Sequence, residues 1–181
     1  MFKKVMVATI IAGLSTFVSA GDNTRSISET SEVFVGLEVG ATMVQGDTSF
    51  YGDNHDGTAA SIGLRLGAQN EKWRSMVVLD YFDSEDDGQN YERAMIQVDY
   101  YVMAANFSTV AFRPYVGLNG GYANYEGDSI DESGFVYGGQ IGFTADVSNA
   151  VDLDIAYRYS VTSFDELDHI GNFVVGINYL Y

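Results

Sequence analysis

The chain has 181 residues and carries 25 Asp and Glu against 9 Lys and Arg, a formal net charge of −16. That balance excludes a basic surface for gripping nucleic acid or another polyanion. There is no Cys, which excludes disulfide staples and a lipid-modified cysteine.

The N-terminus reads as an export signal. Met1-Phe2-Lys3-Lys4 is a short basic start, residues 5–18 are apolar, and Val18-Ser19-Ala20 is a small-residue cleavage pattern. The apolar run is shorter than the ~20 residues a helical membrane span requires, and no later stretch is long and apolar enough to be one. Residues 1–20 are therefore expected to be a cleaved signal peptide. Residues 21–32, polar throughout, are expected to be a short periplasmic segment, and 33–181 a single β-barrel domain. Without Lys3 and Lys4, seven basic residues face 25 acidic ones.

Eight alternating segments follow, over 33–44, 59–68, 73–82, 91–102, 112–123, 135–146, 151–160 and 171–181. Period-two alternation means strands with one apolar and one polar face, and each segment is close to the ~9–11 residues that cross a bilayer at a tilt. In the first, Val33, Val35, Leu37, Val39 and Ala41 oppose Phe34, Gly36, Glu38, Gly40 and Thr42. In the seventh, Val151, Leu153, Ile155, Tyr157 and Tyr159 oppose Asp152, Asp154, Ala156 and Arg158. The strand arginines Arg65, Arg74, Arg93, Arg113 and Arg158 all hold the polar parity. So do Glu38, Asp80, Asp99, Asp152 and Asp154. The apolar parity starts or stops at aromatics, including Trp73, Tyr81, Tyr100, Tyr122, Tyr137, Phe143, Tyr159 and Tyr179, as membrane interfaces favour.

The connections alternate in length. Those after odd segments are long, at 45–58, 83–90, 124–134 and 161–170, while 69–72 and 147–150 are tight and 103–111 is intermediate. An even-stranded outer-membrane barrel has short periplasmic turns and longer external loops. The long set holds 14 Asp or Glu and no Lys or Arg. With an export signal ahead of it, this pattern describes a barrel turned inside out, with lipid around it and charges within. The expected fold is an all-β, eight-stranded antiparallel up-and-down transmembrane barrel.

The last segment alternates Phe173, Val175, Ile177, Tyr179 and Tyr181 to the final residue, with Gly176 between. Here the chain resembles bacterial outer-membrane barrels, whose last strand ends in an aromatic that the barrel-assembly machinery reads. Gly176, Tyr179 and Tyr181 match that signal; Val174 stands where a polar residue is usual, and Tyr181 replaces the commoner Phe. Arg113-Pro114-Tyr115-Val116-Gly117-Leu118-Asn119-Gly120-Gly121-Tyr122 resembles the fifth strand of the small eight-stranded family of opacity-type proteins and the outer membrane protein A barrel domain. The resemblance implies a monomer in the outer membrane of a Gram-negative bacterium, in contact with lipid and lipopolysaccharide. It does not choose among the adhesins, structural barrels and enzymes that share the fold.

Three sets of residues could carry chemistry. The ten inward charges should pair, because an isolated buried ion is costly. With Phe34, Phe82, Tyr101 and Tyr115 they should plug a lumen only wide enough for side chains. Neither lipid A-modifying pattern is complete. Neither His55 nor His169 begins a His-x-Ser pair, and His55 with Asp83-Ser84 lacks the apolar lumen and N-terminal amphipathic helix of the acyl-transferring type. Asp83-Ser84-Glu85-Asp86-Asp87-Gly88 is similar to a calcium loop without its twelfth-position Glu, which is Ala94 here. Asp83, Glu85 and Asp87 are therefore candidates for weak divalent-cation binding and no more. No cofactor and no catalysis are expected. The expected role is structural or surface-interacting, adhesin-like, through acidic external loops that suit divalent cations or a basic partner. A narrow porin-like channel for small solutes is the alternative, and a lipid A-modifying enzyme the third reading. N-terminal sequencing of the protein recovered from envelopes should begin at Gly21; a chain still beginning at Met1 would overturn the signal-peptide assignment.

Overall fold

A computed structural model describes residues 31–46, 57–84, 89–103, 105–107, 110–126, 131–163 and 167–181. The strands are β1 (Glu32–Gly46), β2 (Gly57–Gln69), β3 (Trp73–Ser84), β4 (Gln89–Tyr101), β5 (Ala105–Phe107), β6 (Val110–Glu126), β7 (Asp131–Ser148), β8 (Val151–Thr162) and β9 (Leu167–Leu180). Every pairing is antiparallel between chain neighbours except two. β4 pairs with β6 past the three-residue β5, and β1 pairs with β9, from Phe34↔Leu180 upward. These two close the sheet. The result is a barrel of eight long strands, with β5 a short extra pairing on β6 inside the β4–β6 connection.

The core is inverted relative to a water-soluble barrel. Leu118 is 74% exposed and Ile96 61%, whereas Arg74 and Asp99 are 0% exposed. Exposed apolar residues cover the outside of every long strand, and the inside is crowded and polar. Aromatic pairs mark the outer face toward the strand ends. Trp73 packs edge-on against Tyr100 at 4.9 Å, and Tyr122 against Phe135 at 5.6 Å with its hydroxyl on Ser133 Oγ.

Strand bounds exceed the alternating segments at the long-loop end. β6 and β7 continue pairing to Glu126↔Asp131, so most of 124–134 is a paired ribbon rather than a free loop. β3 and β4 likewise pair to Ser84↔Gln89, taking in Asp83. A backbone ladder needs no apolar side chains to continue, so the hydrophobic pattern ends before the strands do. Glu85, Asp87 and His55 lie outside the described residues, as does the Phe82 side chain.

An arginine at Ile96, which stands midway along the outer face of β4 between Glu92 and Tyr100, discriminates between lipid and water as the outer medium. Ile96→Arg should cost about 2–4 kcal/mol in urea unfolding from lipid vesicles. A change within about 0.5 kcal/mol would mean that this face meets water.

Candidate functional site: the ionic lumen

The inward residues of consecutive strands come from the polar parity: Glu38 on β1, Arg65 and Gln69 on β2, Arg74 and Asp80 on β3, and Arg93, Gln97 and Asp99 on β4. β6 adds Arg113 and Tyr115, β7 Gln140 and Thr144, β8 Asp152, Asp154 and Arg158, and β9 Asn172 and Asn178. Room for them comes from glycine. A Cβ at Gly63 would lie 2.7 Å from Glu38 Cγ, and one at Gly117 would strike Asp99 Oδ1. Long charged chains therefore lie flat across positions that have no side chain.

Eight of these charges form one alternating chain. Asp99 Oδ2 accepts from Arg74 Nε at 2.8 Å and lies 2.8 Å from its Nη2. Arg74 Nη1 reaches Asp154 Oδ2 at 2.6 Å, and Arg65 Nη1 reaches Asp154 Oδ1 at 3.1 Å. Arg65 Nε donates to Glu38 Oε2 at 2.5 Å. Arg158 donates to Glu38 through Nη1 at 3.0 Å and Nη2 at 3.3 Å, and its Nη1 lies 3.5 Å from Asp80 Oδ2. Arg93 ends the chain on Asp80 through Nε at 3.0 Å and through Nη2. The order runs Asp99, Arg74, Asp154, Arg65, Glu38, Arg158, Asp80, Arg93, so that no like charges are adjacent in it.

Neutral groups complete the shell. Gln140 Nε2 donates to Asp99 Oδ1, while its Oε1 accepts from Arg158 Nε at 3.2 Å. Tyr115 donates to Asp154 Oδ1 at 3.1 Å, and its ring faces the Arg74 guanidinium at 4.4 Å. Such cation–π contacts strengthen when desolvated.

Two of the ten inward charges stand apart from the chain. Arg113 bonds Asp146 at 2.7 Å in a partly exposed pair, with its guanidinium 4.5 Å from the Tyr101 ring. Asp152, fully buried, forms no ion pair among the described residues. Amides hold it instead, Asn178 Nδ2 at 2.6 Å and Gln69 Nε2 at 3.2 Å. Gln69, Gln97, Gln140 and Asn178 are members of the site that charge alone did not single out; each holds the inward parity, and a neutral amide on that parity was the available signal. Asp146, also on the inward parity, is a further member, and its charge was the available signal. Of the terminal residues, Gly176 faces the lumen, while Tyr179 and Tyr181 are exposed on the outer face. Among the described residues no group of three or more His, Asp or Glu is placed to hold a metal.

What the arrangement does physically is fill space. Eight strands enclose room for side chains and little else, and that room is crossed from wall to wall by paired guanidinium and carboxylate groups.

No family model matches the chain, and no curated protein matches it. Solved structures do share its fold. It is similar to Neisserial surface protein A (NspA), at 15% identity over 84% of this chain and 100% of that one, with a TM-score of 0.65. It is similar to outer membrane protein H (OprH) from P. aeruginosa, at 20% identity over 83% and 99%, with a TM-score of 0.59. It is also similar to Ail, the attachment invasion locus protein of Yersinia pestis, solved with the heparin analogue sucrose octasulfate, at 17% identity over 83% and 99%, with a TM-score of 0.52. The fold is thus the small eight-stranded antiparallel barrel of outer-membrane proteins. At these identities the likeness is one of fold alone.

Removing one member of the chain should strand its partners. Arg74→Ala, which takes a cation from both Asp99 and Asp154, should destabilise by about 3–5 kcal/mol in urea unfolding from vesicles. Arg113→Ala, in the partly exposed pair, should cost less than about 1 kcal/mol. Equal small effects at both positions would show that the lumen is wet.

Proposed function

We propose that the chain is an outer-membrane barrel of a Gram-negative bacterium that does not conduct solutes, and that its role is structural or surface-interacting. The buried ionic chain carries this reading. Moving a solute through the lumen would require breaking several paired charges at once, each break leaving an uncompensated ion in a space without bulk water. With the interior committed in this way, interaction falls to the outer surface and the external connections.

The remaining assignments belong to the same reading. Residues 1–20 direct export, Gly176, Tyr179 and Tyr181 present the assembly signal, and the apolar outer face meets lipid and lipopolysaccharide as a monomer. The external connections hold 14 carboxylates and no Lys or Arg, so they favour divalent cations or a basic partner, with Asp83, Glu85 and Asp87 as weak cation ligands. Ail was solved with a sulfated sugar; the acidic face of this chain disfavours a polyanion of that kind. A catalytic role is disfavoured by the charge-filled lumen, which offers no slot for an acyl chain.

Conductance decides between this reading and the narrow-channel alternative. In planar bilayers the purified protein should give rare, small steps or none, and Arg158→Ala should raise their frequency by breaking the chain between Glu38 and Asp80. Large, frequent openings of the native protein would overturn the proposal.

A further inference from the structure

The described inward side chains of β9 are Ile170, Asn172, Val174, Gly176, Asn178 and Leu180, none of them charged. Of its neighbours, β8 carries Asp152, Asp154 and Arg158 on the same face, and β1 carries Glu38. Glu38 on β1 and Asp154 on β8 are both register partners of Gly176, so the two carboxylates flank this glycine on the adjacent strands. Arg65, from β2, lies over Gly176 and holds both: its Nε is 2.5 Å from Glu38 Oε2 and its Nη1 3.1 Å from Asp154 Oδ1. Arg158, from β8, also reaches across β9 to Glu38, at 3.0 Å and 3.3 Å. A Cβ at Gly176 would lie 2.6 Å from Arg65 Cζ and 3.1 Å from its Nη2. Any larger residue there would push the guanidinium off its partners.

We infer that Glu38, Asp154, Arg65 and Arg158 form a clasp that holds the β1–β9 seam shut from inside, and that Gly176 is a positioning residue that keeps the intervening strand clear beneath it. The seam is where such a device matters. Most ladders of this barrel join consecutive strands and form locally. The β1–β9 ladder joins the two ends of the chain, with Phe34 against Leu180, and so bears the largest loop-closure cost. Arg65 can meet both carboxylates only when β8, β9, β1 and β2 stand side by side. The Arg65–Asp154 and Arg158–Glu38 bonds therefore stabilise the closed barrel and are lost from a sheet open at the seam, whereas Arg65–Glu38 joins the neighbouring strands β1 and β2 in either state. This role for Gly176 is independent of recognition by the assembly machinery, and the clasp does not depend on whether the lumen conducts.

The chain has no Cys, so a cysteine pair placed across one ladder reports that ladder alone. Val39 and Val175 are outward partners across the seam, and Val77 and Ile96 are partners in the β3–β4 hairpin. Purified chain, unfolded in urea, would be refolded into dilauroylphosphatidylcholine vesicles that contain no assembly proteins, then oxidised. Glu38→Gln and Gly176→Ala should each lower the disulfide yield of the Val39→Cys/Val175→Cys pair about threefold or more, leaving the Val77→Cys/Ile96→Cys yield unchanged. Adding Arg65→Ala to Gly176→Ala should return the seam yield to that of Arg65→Ala alone, because the methyl group then has space. Equal losses at both pairs, an unchanged seam yield, or a Gly176→Ala defect that persists without Arg65 would overturn the clasp.

Discussion

A guanidinium enclosed by eight strands cannot reach bulk water, and leaving it unpaired there costs several kcal/mol. The lumen is organised around that demand. Arg74, Arg65 and Arg158 each span two carboxylates, and Asp154, Glu38 and Asp80 each serve two arginines. Asp99 at one end is completed by Gln140. Because every internal member is shared, no pair can be lost without disturbing the next. The interior is therefore one coupled network rather than a set of independent pairs.

The glycines belong to the same constraint. An arginine long enough to reach across a neighbouring strand must lie flat on it, and at Gly176, between Glu38 and Asp154, the strand is bare beneath Arg65. The outer face follows a separate requirement. Val, Ile, Leu and aromatic side chains remain exposed on every long strand, which suits a hydrocarbon surround. In such a surround, closure of the sheet leaves no backbone edge unsatisfied. Inside and outside are thus solved independently on the two faces of each strand.

The solved barrels that share the fold include a Neisserial surface protein and an attachment invasion locus protein, and the fold does not choose between such roles. The strand arginines of this chain are spent inside, and its long connections contain no Lys or Arg.

The alternation of Val151 to Tyr159 against Asp152 to Arg158, repeated eight times, was enough to determine the barrel and the strand count. Side-chain period is a local property, and the sequence carries it directly. Strand ends were less legible: the Asn124 to Glu126 stretch reads as loop by hydropathy yet pairs with 131–133, because ladder hydrogen bonds are blind to side-chain polarity. Partners were not legible at all. Arg65 and Asp154 are brought together by a closed sheet in which β2 and β8 face one another across β1 and β9. Arg113 turns instead to Asp146, and Asp152 to the amides of Gln69 and Asn178. The sequence by itself determined the two faces, since they depend on neighbours two residues apart. The tertiary structure alone decided the pairing, because register and closure set which ions meet across the lumen.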